Sequence, residues 1–207
     1  MPIQAIIFDY GGVLVRMADE TPRRLLAQHI RIPLDEIYEV VFASESAHRA
    51  SLGLITNDQH WQTITTALKI PPEKISAWIQ QFWSVDEMNT EVVEYIRTLR
   101  PRYKVGLLSN AFDDLRQVLH DRWHLDNLFD EMIISAEVGL IKPDPRIYEL
   151  ATQRLGVQPF EAVFVDDVRE NVEGAQKVGV HAIQYRDNTQ LLNELKTLLD
   201  QSQSEGR

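Results

Sequence analysis

"IIFDYGGVLV", residues 6–15, decides how the rest of the chain is read. Ala5 and the three residues after it are apolar, β-branched or aromatic, and Gly11-Gly12 follow closely. Ala5–Phe8 is therefore expected to form a short buried strand. The strand hands over to Asp9. A carboxylate beside an apolar run costs free energy unless something pairs with it. Its partners must come from elsewhere in the chain.

Immediately downstream the rhythm is helical. Leu25, Leu26 and Ile30 recur at helical spacing, then Ile37, Val40 and Val41. A second helical pair covers Trp61–Leu68 and Ile75–Phe82, with Pro71-Pro72 as the break. No strand is expected between residues 18 and 87, and Trp61, Trp78 and Trp83 are expected to form the core of this all-helical insertion. From Asn89 the rhythm alternates. Asn89 is expected to cap a helix through Leu99. Val105–Leu108 reads as a strand, Leu115–Trp123 as a helix and Met132–Ile134 as a strand. Asp144-Pro145 opens a helix to Leu155, with aspartate as N-cap and proline at the first helical position. Ala162–Val165 is a strand, Val172–Val178 a helix, Ala182–Gln184 a strand and Leu191–Leu199 a last helix. Residues 201–207 are polar and read as a flexible tail.

Strands alternating with helices predict an α/β fold, with a parallel sheet covered on both faces. Ligands of such sheets bind outside the carboxyl ends of the strands. There the first strand offers Asp9, the second Ser109-Asn110, and the fourth Asp166-Asp167; "SAEVGLIKPDP" leads from the third to Lys142. These residue types suit phosphoryl chemistry. A carboxylate can attack phosphorus and form an acyl-phosphate, splitting one hard displacement into two easier ones. Anion attacking anion needs a cation between them, and two or three carboxylates make a Mg²⁺ site. Asp9, Asp166 and Asp167 supply the oxygens, while Ser109 and Lys142 clamp the phosphate.

Bulk composition narrows the partners. The 207 residues carry 21 Lys and Arg against 31 Asp and Glu, a net charge of −10. Nucleic acid and anionic membranes are poor partners for such a chain. The absence of cysteine excludes disulfides, thiolate metal sites and thiol catalysis. No window approaches the roughly 18 apolar residues of a membrane span. No basic region precedes the first apolar stretch, so it does not read as a secretion signal. A cytoplasmic location is expected by elimination. The six histidines are expected at the surface or at helix ends.

Four segments together resemble the haloacid dehalogenase-like hydrolase superfamily, in its order and over nearly the whole chain. They are "IIFDYGG", "LLSNA", "GLIKPDPRIY" and "VFVDDVRENVEGA". The resemblance implies a Rossmann-like three-layer core of residues 1–17 and 88–200, with an α-helical cap of residues 18–87 inserted. It implies a Mg²⁺-dependent phosphomonoester hydrolase acting on a small phosphorylated metabolite. Asp9 would be nucleophile and metal ligand, with the Gly11 carbonyl and Asp166 as further ligands. Asp167 would orient a metal-bound water or Lys142. Ser109, the Asn110 backbone and Lys142 would bind phosphate. Asn171 and Gly174 would be structural.

Gly11 departs from the phosphatase pattern, which places there a second aspartate that protonates the leaving group. General acid catalysis is worth about 10²–10⁴-fold. Three readings stay open. The acid comes from elsewhere, with Glu45, His48 and His60 as candidates, as in some sugar-phosphate phosphatases that carry glycine here, including a bacterial glucose-1-phosphatase type. Alternatively the chain is a 2-haloacid dehalogenase, against which Asp166-Asp167 argues. Or it binds a phosphorylated ligand with little turnover. The oligomeric state is not legible.

Overall fold

The computed structural model describes residues 2–204. Along the chain, β1 (Ala5–Phe8) passes through a glycine turn into β2 (Val15–Met17). Five helices follow: α1 (Thr21–Ile30), α2 (Leu34–Tyr38), α3 (Glu45–Ser51), α4 (Asn57–Ala67) and α5 (Ile75–Trp83). Then come β3 (Asp86–Met88), α6 (Thr90–Leu99), β4 (Lys104–Ser109), α7 (Leu115–Asp121), β5 (Glu131–Ile134) and α8 (Ser135–Val138). The chain continues with α9 (Pro145–Leu155), β6 (Ala162–Asp166), α10 (Arg169–Lys177), β7 (His181–Gln184) and α11 (Asn188–Ser204).

Five strands form one parallel sheet in the order β5-β4-β1-β6-β7. This is the Rossmann-like α/β fold expected. Alternation along the strands explains why both faces are covered. Ile6, Phe8, Val163 and Val165 enter one apolar cluster with the helices α6, α7 and α11. Ala5, Ile7, Ala162 and Phe164 enter another with α9 and α10. β1 lies at the centre, with Phe8 level with Leu107 on one side and Val165 on the other. The residue after β1 is thereby set beside the ends of β4 and β6.

The helices of residues 21–83 have an apolar cluster of their own, built on Leu26, Ile37, Val41, Trp61, Ile64 and Phe82. Phe82 is fully buried, and truncating such a side chain to alanine typically costs about 3–5 kcal/mol. Several local expectations need correction. Residues 18–87 are not strandless, because β3 begins at Asp86 and pairs antiparallel with β2. Three-residue strands are too short to show a period. His60 is not at the surface: it is fully buried, its ring nitrogens held by the Ser46 hydroxyl at 2.9 Å and the Val41 carbonyl at 3.0 Å. Leu25 is 52% exposed, off the apolar stripe on which the spacing placed it. Asn89 occupies the N-cap position of α6, yet its side chain instead donates to the Val13 carbonyl and the Asn188 side chain. Asp144 caps α9 as expected, accepting from the Arg146 N–H at 3.0 Å. α11 continues to Ser204, into the segment read as a tail, and residues 205–207 lie outside the described ones.

Candidate active site

Asp9, one residue past β1, is 7% exposed, and its N–H donates to the Val165 carbonyl of β6 at 2.9 Å. That bond places it beside Asp166, the last residue of β6, which is fully buried. Two buried carboxylates side by side repel unless a cation joins them. Lys142 does so. Its Nζ lies 2.9 Å from Asp9 Oδ1 and 2.6 Å from Asp166 Oδ2, and donates to the Leu108 carbonyl at 3.1 Å. Three protein oxygens thus take the three N–H groups of an amine that is 4% exposed.

The loop carrying Lys142 is pinned by Asn110. The Asn110 side chain donates to the Lys142 carbonyl at 3.0 Å and accepts from the Lys142 N–H at 2.8 Å. Asp166 is fixed independently, by the Val168 N–H at 2.7 Å and the Asn171 amide at 3.1 Å. Tyr148 holds Asn171 in turn, donating to its carbonyl at 2.8 Å. Gly174 lets α10 approach this loop, since an added Cβ would stand 2.8 Å from that of Pro143. Asn171 and Gly174 are thus scaffolding around Asp166.

Asp9 is tethered through one oxygen. Oδ1 accepts from the Tyr10 N–H at 2.7 Å as well as from Lys142. Among the described residues, no hydrogen bond ends on Oδ2. Burial, with a smaller push from neighbouring Asp166, raises the Asp9 carboxyl to about 7 against the opposing pull of Lys142. Asp167 is exposed, and its carboxyl is also raised, by burial of part of the group and by Asp166. Gly12, at φ +78°, passes beneath it so closely that a Cβ there would overlap the Asp167 carboxylate. Asp9, Asp166 and Asp167 each offer an oxygen within 4.8 Å of the others. Such hard oxygen donors fit Mg²⁺.

Gly11, Gly12, Ser109 and Asn110 form one end of a cavity of about 790 Å³. Its other walls come from β2, the helical segment, β3 and α7. The cavity separates the candidate acids. His48 lines it, whereas Glu45 and the buried His60 do not. Among the described residues the His48 side chain has no hydrogen-bond partner. Of the three tryptophans expected in the helical core, Trp61 and Trp78 are buried, while Trp83 also faces the cavity. Sequence reasoning missed Tyr10, Arg23, Asp86, Asp114 and Arg122, which line the cavity too. Only Tyr10 carried a signal, its place beside Asp9.

The family model described as "haloacid dehalogenase-like hydrolase" matches residues 3–179. The sesquiterpene phosphatase astK of Aspergillus oryzae is 26% identical over 201 residues, 95% of this chain and 96% of its own length. The glyceraldehyde 3-phosphate phosphatase of Methanopyrus kandleri is 25% identical over 203 residues, 89% of this chain and 84% of its own. A solved enzyme of the same family from Bacteroides thetaiotaomicron, in complex with magnesium and inorganic phosphate, superposes with a TM-score of 0.76 at 24% identity. That superposition covers 91% of this chain and 98% of the other.

Proposed function

The chain belongs to the haloacid dehalogenase-like hydrolases, and from that premise we propose that it is a Mg²⁺-dependent phosphomonoester hydrolase acting through an aspartyl-phosphate on Asp9. The observation that carries this reading is the Asp9–Lys142–Asp166 arrangement at the carboxyl edge of the sheet, beside a cavity of small-molecule size. The phosphatase relatives support it. Residues 1–17 and 88–200 act as the catalytic core and residues 18–87 as the cap.

Asp9 Oδ2 attacks phosphorus, the bond from phosphorus to the alcohol oxygen breaks, and the alcohol leaves with a proton from His48. Water then attacks the phosphorus of the aspartyl-phosphate and gives its proton to His48; the bond from phosphorus to Oδ2 breaks, releasing phosphate and restoring both the Asp9 carboxylate and the His48 acid. Lys142 pulls Asp9 towards its carboxylate form and aims it, and its phosphate contact requires one of its three protein bonds to give way. Ser109 and the Asn110 N–H hold phosphate oxygens. Asp9, the Gly11 carbonyl and Asp166 would hold Mg²⁺, and Asp167 would orient a water there. Bound, the ion offsets repulsion between the carboxylate and the phosphate dianion. The substrate is a small phosphorylated metabolite, with sugar phosphates among the candidates.

Gly11 favours a second reading, carbon–halogen hydrolysis, because that chemistry needs no leaving-group acid. The acidic pair Asp166-Asp167 weighs against it. The deciding experiment is Mg²⁺-dependent phosphate release from aryl and alkyl phosphates, with Asp9→Asn as control. Turnover falling by about 10³-fold or more in the variant supports the reading. Undiminished turnover sinks it, and halide release from a 2-haloacid moves the assignment to the second reading.

A further inference from the structure

The cavity beyond the phosphate end has a composition of its own. Met17, Phe42, Trp83, Phe112, Leu115 and Val118 present carbon to it. Phe42 and Met17 are 49% and 43% exposed, a large apolar area to leave open without an occupant.

Apart from His48, its charged groups are occupied by the protein. Arg23, 6% exposed, donates to the Phe82 carbonyl at 2.9 Å and to Asp86 at 3.1 Å, and its guanidinium lies 4.2 Å from the centre of the Phe82 ring. Arg122 donates to the Trp83 and Asp86 carbonyls at 3.1 and 2.9 Å. Asp114 accepts from the Asn57 amide at 2.8 Å. The Tyr10 hydroxyl accepts from the Trp123 indole at 2.7 Å. A polyol placed here would give up hydrogen bonds to water and find chiefly the His48 and Ser51 side chains in return, too few to replace them. A hydrocarbon group would gain by leaving water.

We propose that the substrate's organic half is apolar: the phosphate monoester of a hydrocarbon alcohol, lodged along Phe42, Trp83 and Val118 with its phosphate at Ser109. This deepens the phosphatase reading, setting sugar phosphates aside among its candidate substrates, and rests on its placement of the phosphate. The volume agrees, since about 790 Å³ lies in the upper part of the usual 300–1,000 Å³ range of small-molecule sites.

The test reads binding, so that it stands apart from turnover. Alkylphosphonates from ethyl to dodecyl, and a hexose-derived phosphonate, are titrated calorimetrically into the wild-type protein with Mg²⁺. Affinity should rise by about two- to fourfold per added methylene until the cavity is full. Phe42→Gln, at a half-exposed position, should flatten that slope. A series with no dependence on chain length, or tighter binding of the hexose phosphonate, overturns the proposal, as does binding of none. If the slope is found but no ester is hydrolysed, the phosphatase reading fails while the apolar site stands.

Discussion

At the carboxyl edge of the sheet, Lys142 is 4% exposed and bonded to three protein oxygens; in the cavity wall, Phe42 is 49% exposed and its ring packs against those of Tyr38, Phe82 and Trp83. The first region is over-determined. Asp9, Lys142, Asn110, Asp166, Asn171 and Tyr148 form a continuous chain of hydrogen bonds, so each charged group is held before any ligand arrives. The second is a surface rich in aromatic and aliphatic groups whose arginines and aspartates are already matched. The contrast teaches where chemistry and selectivity reside. Transition-state stabilisation needs fixed dipoles and charges, whereas choice among organic groups needs only shape and the cost of leaving water.

Lys142→Met should break that contrast most severely. Removing the amine leaves Asp9 and Asp166 facing each other without a cation, and breaking a buried pair in this way costs about 3–5 kcal/mol. Chemical denaturation should show the loss, and millimolar Mg²⁺ should restore part of it by supplying another cation. Stability equal to wild type would mean that the cluster is not the pre-set unit described.

The contrast sharpens at His48, the candidate acid that faces the cavity. His48→Ala should lower kcat for alkyl phosphates by about 10²-fold. Aryl phosphates, with good leaving groups, should lose far less. An added Cβ at Gly11 meets nothing within 4 Å. Gly11→Asp in the His48→Ala background should therefore recover alkyl turnover. Equal losses on both ester types would assign His48 a packing role.

The smallest effect is a pH dependence confined to the fixed region. Burial raises the Asp9 carboxyl from 3.8 to about 7, so the folded chain keeps this proton longer than the unfolded chain does. The contribution of Asp9 to stability is then full below about pH 4 and is lost as pH rises towards 7. Without Mg²⁺, Tm of the wild type relative to Asp9→Asn should fall across that window. A difference that stays level would remove the buried, proton-holding Asp9 from the account.

Much of the sheet edge was legible in the sequence because each of its parts is local: an apolar strand that ends on a polar residue announces itself. Asp9, Ser109 and Asp166 needed only the assumption of parallel strands to come together. Lys142 was legible from its motif, yet its three bonds to protein were not, because they reach residues distant in sequence. The cavity wall was largely hidden. It draws scattered residues from β2, the helical segment, β3 and α7, and helical spacing alone cannot separate Trp83, which faces the cavity, from Trp61, which is buried. His60 misled for a related reason. Its partners Ser46 and Val41 lie 14 and 19 residues away, and no nearby pattern marks them.

The most direct test of the central claim is acid quenching of the wild-type protein and Asp9→Asn during turnover of a radiophosphate-labelled alkyl ester with Mg²⁺. The account predicts label bound to wild-type protein, released by hydroxylamine as an acyl-phosphate would be, and none on Asp9→Asn. Turnover without protein-bound label, or label that persists in Asp9→Asn, would contradict it.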